Sequence, residues 1–281
     1  MRTCDYGREA IAAAICARFD PATLAVARDA YARSHPIQHF VVDKLLPDAM
    51  ARAIYAAFPS ATQMFERRSL REHKYVAAQM DRYDAQAEEA VFGFQDPRVV
   101  DLVESITQLP ELLADPQLYA GGISLMNAGN FLNPHVDNSH NNQRTAYRVL
   151  NLLYYVSPDW RAENGGHLEL WPRGLKQPPK LIESSFNRLV VMSTGPDSWH
   201  SVNAVKGERS RCCVSNYYFS PKPIGGMDYF RVTSFRGRPE QPFRDALLRI
   251  DSTLRSAVRK VRPSGLTATK HIYKRERRDD N

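Results

Sequence analysis

The stretch NPHVDNSHNN, residues 133–142, places a histidine and an aspartate two positions apart among asparagines. On an extended strand, residues i and i+2 point to the same side, so His135 and Asp137 can direct an imidazole nitrogen and a carboxylate oxygen at one point. An HxD pair alone is a weak signal, because most such pairs are polar surface residues. A third ligand is available far along the chain, where His200 in SWHSVN begins another predicted strand. Two histidines and one carboxylate leave three positions of an octahedral metal open, the arrangement of non-haem Fe(II) oxygenases.

Two arginines that follow His200 strengthen this hypothesis. Arg209 and Arg211 stand where the last predicted strand begins. A dicarboxylate co-substrate that chelates a metal at one end needs a cation at the other, and the planar fork of arginine binds a carboxylate bidentately. Such a charge-assisted contact contributes roughly 1.5–3 kcal/mol. The alternative is an ordinary charged strand start.

Further motifs extend the pattern in a fixed order. After PHVDN come LNLLYYVSPDW, NGGHLELWP, FNRLVVM, SWHSVN and RCCVSNYYF, all between Gly121 and Ser220. This set resembles the prolyl-hydroxylase branch of the Fe(II)/2-oxoglutarate-dependent oxygenases, which includes hypoxia-sensing prolyl hydroxylases and bacterial proline-hydroxylase-like proteins. The resemblance covers a little over a third of the chain. It implies an α+β fold with a mainly β core, a double-stranded β-helix (jelly-roll, cupin-like) with N-terminal and C-terminal supporting helices.

The resemblance also implies roles for individual residues. His135, Asp137 and His200 would hold Fe(II), and 2-oxoglutarate and O2 would be co-substrates, with ascorbate allowed as a reductant. The distal carboxylate of 2-oxoglutarate would be bound by Arg211, with Arg209 as the alternative, and by Tyr155 of LLYYV. Asn127 is a weaker match to a side chain that lies over the co-substrate in relatives.

Other positions bear on the reaction and the substrate. The pair Gly165-Gly166 resembles the family's tight turn, and His167 stands where relatives often have an acidic residue; we expect it to be a solvent-facing strand residue. Retention of the Asp137 carboxylate favours hydroxylation over halogenation. Candidate substrate contacts lie on the segment Tyr75–Tyr83 and between Asn138 and Arg148; they are Asn138, His140, Arg148 and Arg82.

The predicted activity is hydroxylation of an unactivated C–H bond of a small amino-acid-like or natural-product substrate, with release of succinate and CO2. The substrate could also be carrier-bound. One alternative is a peptidyl or protein prolyl hydroxylase. A second is a cupin-like metal-binding module without 2-oxoglutarate, which would have no use for Tyr155 and Arg211. A DNA-alkylation-repair dioxygenase is disfavoured, because RSRCCVSNYYF does not supply the set pattern of a further arginine and an asparagine that such enzymes carry along the last strand.

The elements that must position these residues fall into three segments. Residues 1–118 are predicted to be a mainly helical support of the same domain, with helices near 8–18, 21–33 and 47–57, another opening at Asp96-Pro97, and a strand at His39–Asp43. Residues 119–222 carry short strands separated by Asn, Gly, Pro and Asp clusters, typical of an antiparallel sandwich or barrel. Residues 223–281 add a loop, a helix from about Pro242 to Val261, and a basic tail.

The last predicted helix has an apolar stripe, which we expect to pack on the sheet. The stripe consists of Phe243, Leu247, Ile250, Leu254, Val258 and Val261. Membrane binding is its weaker interpretation. The basic segment Lys270–Arg278 is expected to be disordered or to cover a second subunit, so that a homodimer is allowed.

Composition limits the remaining classes. The chain has 281 residues, 43% hydrophobic and 25% charged, which suits a globular protein with a full core. The net charge is +7, of which +6 lies in the tail from Ser252 onward, where nine Lys or Arg face three Asp or Glu. Four cysteines form no CxxC pair, which predicts no disulfide framework and fits a reducing, cytoplasmic location. The short apolar run at residues 10–17 follows Glu9, so it is read as a helix and not a signal peptide. No membrane partner is expected, and nucleic acid is disfavoured.

Overall fold

The computed structural model describes residues 4–261 and 273–274, with side chains described up to Asp251 and at 273–274. The helices are α1 Arg8–Arg18, α2 Pro21–Arg33, α3 Asp48–Ala56, α4 Ala85–Gly93, α5 Pro97–Thr107 and α6 Pro242–Val261. The strands are β1 His39–Asp43, β2 Phe65–Arg68, β3 Glu72–Ala77, β4 Gly122–Met126, β5 Phe131–Val136, β6 Tyr147–Tyr155, β7 Leu168–Leu170, β8 Lys180–Ile182, β9 Arg188–Ser193, β10 His200–Val202, β11 Arg211–Ser220 and β12 Ser234–Phe235.

The strands form a curled, wholly antiparallel sheet with two opposed parts. The part that we call the major sheet has the order β1-β9-β6-β11-β4, and the minor sheet has the order β5-β10-β7-β8. Strand β3 joins them, because it pairs with β4 on one side and β5 on the other. This arrangement of β4 to β11 is the predicted double-stranded β-helix. Because the two parts face each other, inward-pointing residues of β5, β6, β10 and β11 meet in one interior.

The N-terminal helices begin where local chemistry favours them. Asp20 and Asp96 each precede a proline at the first helical position, and their carboxylates accept hydrogen bonds from the backbone N–H groups of Thr23 and Arg98. Apolar faces of these helices join the main core with β1, β6 and β11; the largest buried members include Phe40, Phe94, Tyr154 and Tyr218. The helices thereby support the major sheet from outside and leave its inner face to the site.

Three parts of the structure differ from the sequence prediction. The hairpin β2–β3 and the helix α4 were not predicted, because β2–β3 shows no apolar alternation and the region of Phe92 to Phe94 shows no clear helical period. Helix α6 has the predicted bounds, but its predicted packing on the sheet is wrong. Phe243, Leu247 and Ile250 are 89%, 56% and 60% exposed, whereas Leu248 is buried. Leu254, Val258 and Val261 lie outside the described side chains.

Ion pairs explain why α6 presents its other face to the protein. Asp251 accepts two hydrogen bonds from the guanidinium of Arg71, in the turn between β2 and β3. Asp245 is held by Arg236, at 2.6 Å. Of Lys270–Arg278, only Tyr273 and Lys274 are described, and the predicted role of that segment lies outside the described residues. Among those residues no single helix is long and apolar enough to cross a membrane, and α1 with α2 meets that test only as a pair bent by 82°.

Candidate active site

The three predicted iron ligands meet at one end of the minor sheet. His135 lies near the end of β5, Asp137 directly follows that strand, and His200 opens β10 opposite His135 in the antiparallel register. One candidate ligand atom of each residue lies within 4.8 Å of the others, and all three residues are buried. The Nε2 atoms of His135 and His200 lie 3.7 and 3.8 Å from the two oxygens of Asp137. Register and chain turn therefore bring together residues that are distant in sequence.

Hydrogen bonds orient both imidazole rings toward this point. The Nδ1 atom of His135 bonds to the carbonyl of Asn133 at 3.0 Å, and that of His200 bonds to the carbonyl of Ser198 at 2.8 Å. A carbonyl can only accept, so each Nδ1 carries the proton and each Nε2 keeps its lone pair. Backbone carbonyls commonly orient metal-ligating histidines in this way.

The protonation states of the buried side chains at the site favour the binding of a metal cation. Burial lowers the pKa of His135 to about 3, with a further contribution from the nearby His200. Burial acts to raise the pKa of the Asp137 carboxyl, but the positive charge of Arg148 opposes it, and the pKa stays below its usual range. The Asp137 Oδ2 atom is buried without a hydrogen-bond partner. Two imidazole Nε2 atoms and an unpartnered carboxylate oxygen fit a divalent metal such as Fe(II).

These ligands line a cavity of about 340 Å³ between the two parts of the sheet. Its wall carries more positive than negative side chains. The cationic ones are Arg67, Arg71, Lys74, Arg148 and Arg211; the anionic ones are Glu72 and Asp137. The structure thus places the predicted metal ligands in a basic pocket, which suits anionic molecules.

Arg211 lines the cavity, and Tyr155 lies beside it on the neighbouring strand without lining the cavity itself. Arg211 is 3% exposed, and its guanidinium carbon lies 4.7 Å from the centre of the Tyr155 ring. Its Nε donates to the Ser184 hydroxyl at 3.2 Å. The Tyr155 hydroxyl is buried beside Ser184 and Arg211 without a hydrogen bond of good geometry, and burial raises the pKa of Tyr155 to about 12. A buried cation beside an unpartnered hydroxyl donor is suited to bind a carboxylate.

The turn at Gly165-Gly166 supports Arg211 from behind. Both glycines have positive φ, 62° and 66°, and a Cβ on Gly166 would lie 2.9 Å from Cδ of Arg211. His167 follows the turn, and the prediction that it faces solvent is wrong. It is 1% exposed, its Nε2 donates to the carbonyl of Ala162 at 2.8 Å, and its Nδ1 accepts from the Ser184 N–H at 3.1 Å. These bonds bury the ring and fix Ser184, the hydrogen-bond acceptor of Arg211.

The two other residues predicted to bind 2-oxoglutarate, Arg209 and Asn127, lie outside the cavity. Arg209 has an exposed side chain, 60% accessible, and pairs with Asp159 at 3.4 Å on the surface. Asn127 follows β4, and its Oδ1 accepts from the Ser210 hydroxyl at 2.6 Å. Neither residue is among those that line the cavity.

Of the four residues predicted to bind the substrate, two line the cavity and two do not. Asn138 and Arg148 line the cavity. Arg148 is 1% exposed, and its Nη1 lies 3.6 Å from Oδ1 of Asp137. His140 is outside the cavity wall, where its ring lies 4.4 Å from that of Tyr147. Arg82 lies in the short helical turn Met80–Arg82 and does not line the cavity.

Sequence reasoning missed several residues of the wall. On the hairpin β2–β3, Lys74 pairs with Glu72 at 3.0 Å and Arg67 approaches the same carboxylate at 3.8 Å. Phe235 of β12 stacks on the ring of His135, with centroids 5.0 Å apart and planes 16° apart. Tyr217 of β11 lies under the guanidinium of Arg148. The SNYYF motif places Tyr217 two positions from Ser215 on the same inward face, a signal that could have indicated it.

Comparison with known proteins supports the resemblance. Residues 121–219 match the family model of the 2OG-Fe(II) oxygenase superfamily. The mouse (Mus musculus) prolyl 3-hydroxylase OGFOD1 is 31% identical over 96 residues, which are 32% of this chain. The chain spans only 17% of the length of that relative.

Solved structures share the fold at low identity. A Pseudomonas putida prolyl-4-hydroxylase has 17% identity and a TM-score of 0.52, with 70% of this chain and 98% of that chain covered. A prolyl 4-hydroxylase from Phytophthora capsici has 14% identity and a TM-score of 0.53, with 94% and 83% covered. The epimerase SnoN of nogalamycin biosynthesis, described as non-heme and alpha-ketoglutarate-dependent, has 14% identity and a TM-score of 0.52, with 72% and 84% covered.

The fold predicted from sequence is thereby confirmed, as is the resemblance to enzymes that use iron and 2-oxoglutarate. Both findings concern the region that carries His135, Asp137 and His200. Residues 121–219 are the part of this chain that matches the 2OG-Fe(II) oxygenase superfamily model.

Proposed function

We propose that the protein is an Fe(II)- and 2-oxoglutarate-dependent dioxygenase that hydroxylates an unactivated C–H bond of a small amino-acid-like or natural-product substrate. The observation that carries the proposal is the convergence of two groups in one cavity. The ligand triad His135, Asp137 and His200 stands at one wall, and Arg211, with the Tyr155 ring beside it, stands at another. A metal site alone needs only the triad. A dicarboxylate that chelates the metal needs the triad at one end and the cation Arg211 at the other.

The residues of this chain would then have distinct tasks. His135, Asp137 and His200 hold the metal through two Nε2 atoms and a carboxylate oxygen. Arg211, fixed by Ser184, and the Tyr155 hydroxyl bind the distal carboxylate of 2-oxoglutarate. When bound, Fe(II), 2-oxoglutarate and O2 supply the oxidising chemistry, with succinate and CO2 as co-products. The enclosing walls exclude water and hold the substrate near the metal, where position determines which C–H bond reacts.

A small substrate suits the dimensions of the site. The cavity of about 340 Å³ is at the low end of the 300–1,000 Å³ typical of ligand pockets, and it must hold the co-substrate as well. The alternative is a peptidyl prolyl hydroxylase, favoured by the 31% identity to the mouse prolyl 3-hydroxylase. A cytoplasmic location and action without membrane or nucleic-acid partners stay predictions from the sequence.

The test is turnover of 2-oxoglutarate by the purified full chain. The protein is incubated with Fe(II), ascorbate, 2-oxoglutarate and air, and succinate is measured over time. We expect slow succinate formation that requires iron, is lost in Asp137→Ala, and is unchanged in Asp29→Ala, which removes an exposed carboxylate of α2 that pairs with Arg33. Equal succinate in wild type and Asp137→Ala, or none in wild type with iron bound, would contradict the proposal and leave a cupin-like metal-binding module.

A further inference from the structure

Arg148 is a buried cation with few polar partners, and its guanidinium lies over the rings of Tyr119, Tyr217 and Phe219. It lies on β6 with 1% of its side chain exposed, and its guanidinium carbon is 4.0 Å from the centre of the Tyr217 ring. Its Nε and Nη2 atoms are buried with no hydrogen-bond partner. A buried charge with unmet donors is costly, so a structural role alone gives no reason for an arginine here.

The carboxylates near Arg148 are committed to other partners. Asp137 approaches Nη1 at 3.6 Å, but it is also the carboxylate of the metal triad. Asp115 is buried close enough to feel the charge of Arg148, yet its oxygens accept hydrogen bonds from the backbone N–H groups of Gln117 and Tyr119. Of the described carboxylates, only Asp137 lies within ion-pair distance of Arg148.

Loading of the site makes this imbalance larger. The formal charges of Fe(II), the Asp137 carboxylate, 2-oxoglutarate and Arg211 cancel one another. Arg148 then stands beside the metal as an uncompensated positive charge. On the hairpin β2–β3, Arg67 and Lys74 share the single carboxylate of Glu72, so that the opposite wall adds a second surplus charge. The remaining space is therefore electrostatically prepared for an anion.

We propose that the substrate presents a carboxylate to Arg148, and hence that it is a small free acid rather than a residue inside a peptide chain. This inference rests on the proposed function and names its substrate class. A residue within a peptide offers a neutral carbonyl at this place and leaves the charge uncompensated. A free carboxylate supplies the missing charge and can accept two hydrogen bonds from one guanidinium edge. Because Nε and Nη2 are closed off from solvent, the two-point contact requires the guanidinium to rotate toward the cavity that Arg148 lines.

The test uses a carboxylate probe that needs no knowledge of the substrate. The full chain is loaded with Zn(II), which is diamagnetic, and saturated with 2-oxoglutarate so that Arg211 is occupied. Trifluoroacetate is then titrated and its 19F line width followed, with trifluoroethanol as the uncharged probe of similar size. We expect saturable broadening of trifluoroacetate alone, weakened at least tenfold in Arg148→Met and unchanged in Arg173→Met, an exposed arginine after β7.

Two outcomes would overturn the proposal. One is the absence of saturable trifluoroacetate binding to the wild type, and the other is equal binding to Arg148→Met. If Arg148→Met does not fold, Arg148→Gln keeps hydrogen-bonding capacity without charge and is expected to show the same loss. Binding of 2-oxoglutarate is measured in the same samples, and a failure of 2-oxoglutarate to bind counts against the proposed function alone.

In the Fe(II) enzyme, L-proline and L-prolinamide provide a matched acid and amide. Faster succinate formation with the amide would favour the peptide alternative.

Discussion

Gly166→Ala tests whether the glycine turn positions the arginine of the site. The Cβ added at Gly166 would lie 2.8 Å from Cγ2 of Val205 and 2.9 Å from Cδ of Arg211. Carbon atoms prefer separations of about 3.5–4.0 Å, so a neighbour must move by roughly 0.6–1 Å. Val205 and Arg211 are both buried, but the unbranched stem of Arg211 has more rotatable bonds than the β-branched Val205. We expect the arginine to be displaced.

The substitution Gly166→Ala should have two separable effects, one on folding free energy and one on the affinity for 2-oxoglutarate. The φ of 66° at Gly166 is unfavourable for alanine and costs about 1–2 kcal/mol of folding free energy. Displacement of Arg211 by about 1 Å is expected to weaken 2-oxoglutarate binding by about tenfold to a hundredfold, as misplacement of a binding group does elsewhere. Calorimetric titration of 2-oxoglutarate into Zn(II)-loaded protein measures the second part, and urea unfolding measures the first.

Gly174→Ala is a matched control. Gly174 has a similar φ of 76°, but nothing lies within 4 Å of its Cβ position. This variant should lose a comparable part of its folding free energy from backbone strain and keep wild-type affinity for 2-oxoglutarate. Wild-type affinity in Gly166→Ala, or equal loss in both variants, would refute the assignment of Arg211 as the positioned carboxylate receptor.

Three further predictions concern single groups of the site. Tyr155→Phe should weaken 2-oxoglutarate binding about fivefold to tenfold by calorimetry without lowering the urea midpoint, because the hydroxyl removed is buried and unpartnered. Arg211→Met should weaken that binding by about tenfold to a hundredfold or more, from roughly 1.5–3 kcal/mol, while Arg209→Met should stay within about twofold. The metal-free protein should lose stability below pH 6.5. The folded chain holds the pKa of His135 near 3, so between pH 6.5 and 3 only the unfolded chain binds this proton. The free energy of unfolding therefore falls by about 1.4 kcal/mol for each pH unit below 6.5. Urea unfolding at pH 7.5 and 5.5 should show a smaller difference in His135→Gln; an equal difference would contradict this assignment.

The HxD pair and several helix starts could be predicted from local spacing, whereas the double-stranded β-helix was implied by the resemblance of the whole set of motifs. The pair His135 and Asp137 shares a strand face by simple alternation, and His200 opens a strand that the antiparallel register sets opposite. Aspartate-proline pairs at 20–21 and 96–97 mark helix starts through capping. Such features need no knowledge of distant packing.

The hairpin β2–β3 could not be predicted in the same way. Its segments FERR and EHKYVA line a polar cavity with Arg67, Glu72 and Lys74, so neither face shows the apolar alternation of an ordinary strand. The basic lining of the pocket was missed for the same reason. A strand that faces a charged site has the composition of a loop.

The burial of individual residues could not be predicted from the hydrophobic pattern of the sequence. The amphipathic period of α6 was correct, but ion pairs of Asp245 and Asp251 turn its apolar residues Phe243 and Leu247 toward solvent. His167 is buried because both ring nitrogens find backbone partners across a turn. Both outcomes depend on contacts between segments that a single sequence does not reveal.

The most direct test of the central claim is an anaerobic titration. Fe(II) and then 2-oxoglutarate are added to the metal-free protein, and the visible absorption is recorded for a weak charge-transfer band. We expect a band that is lost in Asp137→Ala, which removes a metal ligand, and weakened in Arg211→Ala, which removes the cation for the distal carboxylate. No band in the wild type despite bound iron, or a band indifferent to both substitutions, would contradict the assignment of this cavity as an iron and 2-oxoglutarate site.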